Sequence, residues 1–585
     1  MTGMCQGCVG NLFGSLTGLR ATRTRREFIA ESIAAAGSMM ALGAGPALGE
    51  TVSADTIFKG GSIVPIGGGD KYAGALAIAG GKIVAVGDEA DVMNLSSAST
   101  RIVDLDGRTM LPGFIDPHQH TTTGALITAL FEYAGYTKYP RRDDVIAAMK
   151  AKAAATPADG WMYFTSFDNL LQGGDLTLAE LDAVSATQPI MVYYINMHTA
   201  SVNTAALKAA KIPDDIGALP GGGRFGRDAN GKLDGMVYEQ AALMKFLIGL
   251  PKITPELAGK ATLDWLQHHA AVGNTTVHEA GVLVFGDLLQ GYERVAAQSP
   301  CRASISLMYD SMKDGEPYKK YGYGAKAAQV PGSLLSLYAI KIVGDGSNQT
   351  ESGAQTVPYL GGGKGQLNFD PAELKSMVQA VKDSGWPISI HANGDAAVDN
   401  ALDAIEAAYG ANPPTGVNRI EHCTITRPEQ IARMVRLGIQ PSFLMNHVYF
   451  YGAAYRDQLF GPDRANRMDP AGDCVRAGLP FTLHTDAPCS NIGALQLIQC
   501  AVTRRCSIDG SIVGEDQAVS LTEALKAVTI HAAGQIGMAD RIGTLEIGKE
   551  ADMTILEGDP YKVDPDAIMN IKISETWVAG RQMSG

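Results

Sequence analysis

Apolar and polar positions alternate in short runs at both ends of the chain. Residues 55–110 form strand-length runs between glycines, as in 75–87, and residues 542–580 repeat the pattern. Alternation with a period of two predicts β-strands with one buried face. We therefore expect one small β-sandwich domain assembled from both chain ends, 51–110 and 531–585.

The middle of the chain, residues 111–530, alternates apolar strand-length runs with amphipathic helical runs. Alternation of strands and helices over this length predicts an α/β fold, namely a parallel (β/α)8 TIM barrel. The pattern predicts three helices at Asp370–Ser384, Ala396–Tyr409 and Pro428–Leu437. Nine runs have strand character, one more than a barrel uses, so the choice among them stays open: Leu111–Asp116, Trp161–Phe164, Ile190–Ile195, Thr275–His278, Ala303–Met308, Tyr338–Val343, Ile388–His391, Arg419–Cys423 and Phe481–His484.

Composition narrows the class of partner. The chain has 585 residues, of which 46% are hydrophobic, and 48 Lys and Arg against 61 Asp and Glu give a net charge of −13. That apolar content is too high for a disordered chain, and the acidic balance argues against a nucleic-acid partner. Eight cysteines in this length do not form a disulfide framework. We expect a small-molecule substrate, and the sequence leaves open whether the protein is a homo-oligomer.

The first fifty residues resemble an export signal. Thr22–Ile29 carries paired arginines and precedes a weakly apolar stretch of small residues, Ala30–Leu48. This order is typical of a bacterial twin-arginine leader, with cleavage after Gly49 or Ala54. We expect residues 1–50 to engage the Tat export machinery, giving a periplasmic or secreted protein with no stable membrane insertion. The alternatives are a disordered basic leader and a wrongly assigned start codon.

Metal-binding residue types recur where the middle strands end. His118 and His120 are two positions apart, so both imidazoles can project from one face of an extended strand, which suits a metal such as Zn²⁺. Lys341 lies inside an apolar strand, where a charged ammonium is costly to bury. Its amine must reach water, meet an anion, or react with CO₂ to form a carbamate that can bind metal.

Three more of these residues follow later strands. His391 and His422 each end an apolar run, and Asp486 comes just after the last one. Taken singly, either histidine fits a hydrogen-bonded core, and the aspartate fits a turn or a helix cap. The ordered series of two histidines, a lysine, two histidines and an aspartate at successive strand ends instead predicts one metal site, because barrel active sites form at that end.

These residues stand in motifs that resemble the amidohydrolase superfamily. The resemblance is strongest to its amidohydrolase family 3 branch, which includes N-substituted formamide deformylase-like enzymes. The motifs follow family order over nearly all of residues 55–585: PGFIDPHQH (112–120), HTASVNTAAL (198–207), DANGKLDGMVYE (228–239), TTVHEAG (275–281), IKIVGDGS (340–347), HANGDAAVDNALDAIE (391–406), RIEHC (419–423), HTDAP (484–488), AVTR (501–504) and IGTLEIGKEADMTIL (542–556).

The resemblance implies a metal-dependent (β/α)8 barrel with a β-sandwich made from both termini. It implies one or two divalent ions, with zinc the expected metal, bound by a set of six matching residues: His118, His120, the carboxylated Lys341, His391, His422 and Asp486. Two departures from the family pattern affect the pocket. His484-Thr485 stands where a small residue and serine are usual, and Asn393 replaces an apolar residue.

The function that follows is hydrolysis of a C–N bond in an amide, N-formyl or cyclic amide. Asp486 would accept the proton of the attacking water, and His198 or His447 would assist. Otherwise His198 holds a loop and His447 lies at the surface. We expect His278 to be structural and the pair His268-His269 to lie on the solvated side of a helix.

Three other readings stay open at this point. An exported binding or regulatory protein would keep the barrel without catalysis, but it should have lost ligands, and none is missing. A structural zinc protein would need a closed four-ligand site. A lactonase or esterase would use the same metal site, and the sequence does not separate it from an amidase.

Overall fold

The computed structural model describes residues 53–67, 72–197, 199–219, 223–282, 295, 297–312, 328–329, 333–410 and 416–584. The predicted leader, residues 1–50, and His198 lie outside these residues. Within the described part of the chain, no helix has both the length and the hydropathy that a membrane span requires.

Eight parallel strands form the barrel, and each pairs with its neighbours in chain order. Two backbone hydrogen bonds join the end of the first strand to the loop after the eighth, from His120 N to Ala487 O (2.8 Å) and from Asp486 N to His118 O (3.0 Å). The first and eighth strands are therefore joined at their carboxyl ends, where the predicted ligands lie. From first to eighth the strands are Phe114–Gln119, Asn274–Val282, Arg302–Met308, Leu335–Val343, Ile388–Ala392, Arg419–His422, Gln440–Phe443 and Thr482–Leu483. A short strand, Ala328–Gln329, pairs antiparallel with the fourth.

The two chain ends contribute strands to one eight-stranded sheet. They meet where Met553–Leu556 pairs antiparallel with Thr109–Pro112. One face buries a core that includes Phe58 and Trp577, whose rings meet edge to face with centroids 5.0 Å apart. The strands of this sheet are Thr56–Ile63, Ala73–Ala79, Lys82–Gly87, Arg101–Asp104, Thr109–Pro112, Met553–Leu556, Ile573–Val578 and Arg581–Ser584.

In chain order, a separate six-stranded sheet lies between the first and second barrel strands, and the predicted barrel strands must be revised because of it. The predicted strands Trp161–Phe164 and Ile190–Ile195 belong to this sheet, and the barrel instead uses Gln440–Phe443, which the pattern missed because it is short and contains a proline. The sheet lies beside the barrel mouth. Its strands are Glu132–Tyr133, Met162–Phe167, Ile190–Tyr194, Thr199–Val202, Arg224–Arg227 and Leu233–Tyr238.

Local sequence signals set the helix ends. The side chain of Asp370 accepts from Ala372 N and Glu373 N at 2.9 Å, and Gly385 ends that helix at φ +79°. Among the described residues, the α-helices are Glu89–Met93, Thr121–Leu130, Arg142–Ala155, Leu178–Val184, Thr204–Ala209, Gln240–Leu243, Pro255–Ala271, Pro371–Ser384, Asp395–Tyr409, Pro428–Leu437, Gly452–Ala454, Pro462–Ala465, Ala471–Arg476, Ala494–Thr503, Leu521–Ala527 and Ile530–Gln535. In the same part of the chain, the 3₁₀ helices are Met244–Gly249, Tyr309–Ser311, Glu515–Gln517 and Pro565–Asn570, and the π-helices are His447–Tyr451 and Tyr455–Phe460.

Candidate metal centre and substrate cavity

Side chains from the first and sixth strands and from the loop after the eighth converge at the carboxyl ends of the barrel strands. Asp486 Oδ1 lies 3.3 Å from His118 Nε2 and 3.2 Å from His120 Nε2. His118, His422 and Asp486 each offer one ligand atom, and the three atoms lie within 4.8 Å of one another. The first strand and the eighth-strand loop thus bring together residues that are far apart in the sequence.

The fourth and fifth strands bring the other two predicted ligands. The ring of His391 lies 4.4 Å from that of His422, centroid to centroid, and His391 Nε2 lies 3.2 Å from Gly346 O. Lys341 is fully buried, and its stem packs beside Gly281, where a Cβ atom would come within 3.1 Å of Lys341 Cγ. A side chain at position 281 would therefore clash first with Met308 Sδ, at 2.7 Å, and would also crowd the lysine stem.

Glu421, in the sixth strand, holds the other side of the His118 ring. Its Oε2 lies 2.7 Å from His118 Nδ1, while Oε1 meets Arg419 Nε at 2.6 Å and accepts a hydrogen bond from Ser389 Oγ. Burial opposes the charged carboxylate, but Arg419 and His118 outweigh it and hold the pKa of Glu421 well below its usual range. An ionised carboxylate at Nδ1 leaves Nε2 of His118 to face the site.

The carboxylate of Glu279 orients His120 as that of Glu421 orients His118. Glu279 Oε1 lies 3.6 Å from His120 Nδ1, and its Oε2 accepts from Thr122 N (2.9 Å) and Thr122 Oγ1 (2.8 Å). Burial lowers the pKa of His120, but the neighbouring carboxylates of Asp486 and Glu279 raise it to about 9. Both histidines of the H-x-H pair are thus oriented by an acid on the side away from the site.

His484, a departure from the family pattern, packs directly under the site. Its ring stacks on that of His118 with centroids 4.5 Å apart, and its Nε2 lies 3.2 Å from His422 Nδ1. On its other side, Nδ1 lies 2.7 Å from Ser442 Oγ. Sequence reasoning assigned neither Glu421 nor His484, although both stand inside recognised motifs, directly beside the predicted ligands His422 and Asp486.

The remaining histidines divide between site and core. His447 is buried, lines the cavity, and has its Nδ1 3.1 Å from Thr424 Oγ1, so the surface alternative is wrong. Burial lowers its pKa to about 4, so it is neutral at pH 7. His278 lies between the hydroxyls of Ser304 (2.9 Å) and Ser306 (2.8 Å), as its structural interpretation requires.

We expected both His268 and His269 to lie on the solvated side of a helix, and this prediction is wrong for His269. His268 is exposed, but His269 is fully buried and its Nδ1 lies 2.9 Å from Asn274 Nδ2. Adjacent residues on a helix project about 100° apart, so only one of the pair can face solvent on an amphipathic helix.

Asn393, the other departure, links His391 to His447. Its Nδ2 lies 3.1 Å from His391 Nε2, and its Oδ1 accepts from Thr424 Oγ1 at 2.9 Å. The same threonine hydroxyl contacts His447 Nδ1 at 3.1 Å. An apolar residue at position 393 would leave these groups without that partner, so the substitution belongs to the polar wall of the cavity.

The donor set fits a divalent metal ion. Three buried atoms, His118 Nε2, His391 Nδ1 and Asp486 Oδ1, have no hydrogen-bond partner among the described residues. Buried polar atoms normally have partners, and imidazole nitrogens with a carboxylate oxygen are typical zinc ligands. Burial raises the pKa of Asp486, but the imidazoles of His118 and His120 beside it outweigh burial and hold that pKa well below its usual range.

A small cavity opens from these residues. It measures about 70 Å³ and is lined by His120, His391, His422 and Asp486 together with His447. A larger chamber of about 590 Å³ adjoins it on the side of the six-stranded sheet. Sequence reasoning could not find this chamber, because segments distant in the chain form its wall.

Comparison with known proteins settles the family. A model of the amidohydrolase family matches residues 101–583, more than half of the chain. The chain belongs to the amidohydrolase family. The resemblance drawn from the motifs is thereby confirmed.

Two relatives and one solved structure match this chain over most of its length. The amidohydrolase named YtcJ of Bacillus subtilis (strain 168) is 26% identical over 506 residues, which is 83% of this chain and 90% of that protein. N-substituted formamide deformylase of Arthrobacter pascens is 25% identical over 530 residues, 86% of this chain and 94% of that protein. The crystal structure of an uncharacterized metal-dependent hydrolase from Pyrococcus horikoshii OT3 matches with a TM-score of 0.68 and 22% identity, covering 87% of this chain and 99% of that one. The predicted α/β barrel fold is confirmed.

Proposed function

We propose that this amidohydrolase hydrolyses the C–N bond of an amide, N-formyl or cyclic amide in a small molecule. The observation that carries the proposal is a group of three buried ligand atoms without hydrogen-bond partners at the carboxyl ends of the barrel strands. His391 and Asp486 line the cavity, and His118 Nε2 lies 3.3 Å from Asp486 Oδ1. The name of the deformylase relative supports C–N bonds as the target.

The proposed ligands are His118, His120, His391, His422 and Asp486, with zinc the metal that this mixture of imidazole and carboxylate suits. When bound, a divalent ion would supply a Lewis acid for the substrate carbonyl and lower the pKa of a water molecule. We also propose that Lys341 is carboxylated. Its complete burial supports this, because a carbamate replaces the ammonium with a metal-binding oxygen anion beside His118.

Asp486 would move the proton. Its carboxylate is ionised at neutral pH and lies at the cavity wall, so Oδ1 or Oδ2 can accept a proton from the attacking water and return it to the leaving nitrogen. His447, neutral and fixed by Thr424, would contribute a hydrogen bond instead of a charge.

Hydrolysis of a lactone or ester by the same residues is the alternative within the enzyme class. A non-catalytic binding protein is less well supported, because four of the predicted ligands, His120, His391, His422 and Asp486, line a single cavity, and His118 is grouped with two of them. A structural zinc site would be closed, whereas here the ligands face a cavity.

The test is amine release from a panel of N-formyl, N-acyl and cyclic amides, with lactones and esters alongside. Purified protein is depleted of metal with a chelator and then reloaded with Zn²⁺ in bicarbonate. The matched control is Asp486→Asn, which keeps the shape of the side chain and removes the proton acceptor. Amide hydrolysis by the reloaded wild type and a loss of about 1000-fold in the variant support the proposal. Hydrolysis of esters alone would replace it with the alternative.

A further inference from the structure

A continuous chain of hydrogen bonds runs beneath the metal site and ends at one of the proposed ligands. Gln535, at the end of a short helix, contacts Thr482 in the eighth barrel strand, and Thr482 contacts Ser442 in the seventh. Ser442 contacts His484, and His484 contacts the ligand His422. The first four of these side chains have an exposed fraction of 0%, so solvent does not compete for the protons of the chain.

The direction of the chain is fixed at Gln535. Its Nε2 lies 2.9 Å from the carbonyl oxygen of Pro441, which can only accept, so Nε2 donates there and the side-chain amide cannot be flipped. Its Oε1 then lies 2.8 Å from Thr482 Oγ1. Because this amide oxygen can also only accept, the Thr482 hydroxyl donates to it and has no second proton to give.

Each later bond must therefore run in the same direction. Thr482 Oγ1 accepts from Ser442 Oγ, 2.8 Å away, and this bond uses the single hydroxyl proton of Ser442. Ser442 Oγ is then left to accept from His484 Nδ1 at 2.7 Å. The proton of the His484 ring is therefore on Nδ1.

The neutral form of His484 leaves a lone pair on Nε2. Its ring is completely buried and stacks on that of His118 with centroids 4.5 Å apart, so an imidazolium would bring an unsolvated positive charge directly under the metal site. A neutral imidazole with its proton on Nδ1 can only accept at Nε2. The contact of 3.2 Å between His484 Nε2 and His422 Nδ1 is therefore a hydrogen bond donated by His422.

This last bond decides which nitrogen of His422 can bind a metal. A neutral imidazole that carries its proton on Nδ1 has its available lone pair on Nε2. His422 lines the cavity and offers a ligand atom within 4.8 Å of those of His118 and Asp486. With Nδ1 committed to His484, Nε2 is the nitrogen left for the metal. A small residue at position 484, as in the family pattern, has no side-chain atom that could accept this proton.

We propose that His484 is a positioning residue, and that the chain from Gln535 through Thr482 and Ser442 to His484 holds the proton of His422 on Nδ1 so that Nε2 binds the metal. Ligand histidines commonly donate from their second nitrogen to a carboxylate or a backbone carbonyl. Here a second imidazole is the acceptor, and its own proton is set by residues that do not touch the metal. This inference rests on the metal site of the proposed function but not on the bond that is hydrolysed.

The first measurement locates the protons directly. The full chain is labelled with ¹⁵N in its histidine rings, depleted of metal at pH 7, and observed by NMR through the couplings between ring nitrogens and carbon-bound ring protons. These couplings distinguish a nitrogen that carries a proton from one that does not. The signals of His484 are those missing from His484→Gln. We expect a neutral His484 with its proton on Nδ1. A proton on Nε2, or on both nitrogens, would overturn the proposal.

Two variants at position 484 separate proton acceptance from ring packing. His484→Phe keeps a ring beneath His118 but has no acceptor, whereas His484→Gln loses the ring and keeps a carbonyl oxygen near the place of Nε2. We expect zinc affinity, measured by competition with a chromophoric chelator, to fall about 10- to 100-fold in His484→Phe and to stay within about 3-fold of wild type in His484→Gln. The opposite order would show that His484 acts only by packing.

A second pair of variants tests the chain at a distance, because Thr482 is two hydrogen bonds away from His484. Thr482→Val keeps the shape of the side chain and removes the hydroxyl, so Ser442 can turn its proton toward His484 Nδ1 and move the proton of that ring to Nε2. Thr482→Ser keeps the hydroxyl. We expect zinc affinity to fall about 10-fold in Thr482→Val and to be unchanged in Thr482→Ser. Equal affinities in the two variants would overturn the role of the chain.

The outcomes distinguish this inference from the proposed reaction, since neither readout uses a substrate. Circular dichroism checks that each variant is folded, and the NMR spectrum of the wild type decides the matter for a variant that is not. Wild-type protein that binds zinc but hydrolyses no amide would refute the proposed reaction and leave this inference standing. Wild-type protein that binds no zinc would overturn the metal site and this inference with it.

Discussion

Replacing Glu421 with glutamine tests whether the carboxylate behind His118 prepares the metal site. The variant keeps the size of the side chain but removes the charge that lies 2.7 Å from His118 Nδ1. A glutamine amide can offer His118 either its oxygen or its nitrogen, so the nitrogen that carries the proton is no longer fixed by a charge. We expect His118 Nε2 to become a weaker ligand.

The expected magnitude has two separate parts. Outer carboxylates of this kind change metal affinity by about 10- to 100-fold, which is about 1.4 to 2.7 kcal/mol. Removing the charge also leaves Arg419 buried at 1% exposure without its partner, and breaking a buried ion pair costs about 3 to 5 kcal/mol of folding free energy. The first effect appears in metal binding and the second in the stability of the metal-free protein.

The assay measures zinc affinity by competition with a chromophoric chelator, and urea unfolding of the metal-free protein reports stability. Arg419→Met combined with Glu421→Gln removes both charges, so stability should recover while zinc affinity stays low. Glu89→Gln, at an exposed carboxylate paired with Lys59, is the matched control and should change neither quantity. Wild-type zinc affinity in a folded Glu421→Gln variant would refute the reasoning.

Three further predictions concern other parts of the chain. Hydrogen bonds from Arg142 lower the pKa of Glu180 from 4.5 to about 2, so this pair stabilises the fold above pH 4.5, and its contribution is lost as the pH falls toward 2. Glu180→Gln should therefore reduce the loss of stability between pH 7 and pH 3, measured by thermal melts, by about 1 kcal/mol. The same loss of stability in the wild type and the variant would contradict this prediction. His447→Gln should lower kcat/KM by about 10- to 100-fold with bound zinc unchanged by elemental analysis, and unaltered kinetics would exclude His447 from the reaction. Changing Arg25 and Arg26 together to lysine should retain the protein in the cytoplasm on cell fractionation, whereas normal export would exclude the twin-arginine route.

The ligand-bearing ends of the barrel could be predicted from the sequence for a physical reason. Parallel strands that follow one another around a barrel all end at the same face, so polar residues just after apolar runs meet there whatever their distance in the chain. His118, His391, His422 and Asp486 meet as this rule requires. Two buried strands of another sheet, 161–164 and 190–195, have the same apolar pattern, and the pattern does not reveal which sheet a strand joins.

The parts that could not be predicted depend on contacts between distant strands. Glu421 acts on His118 across the barrel, and His484 stacks on the same ring, so their roles appear only once the first, sixth and eighth strands are in place. The larger chamber depends on where the six-stranded sheet lies against the barrel mouth.

The central claim is that a metal ion held by these residues is required for amide hydrolysis. The most direct measurement titrates metal-depleted protein with Zn²⁺ and follows both bound zinc, by elemental analysis, and amine release from the amide of the substrate panel that the reloaded protein hydrolyses fastest. The account predicts that activity rises in proportion to bound zinc and that His118→Asn lowers both together. Full activity without bound metal, or zinc bound at wild-type affinity by an inactive His118→Asn variant, would contradict it.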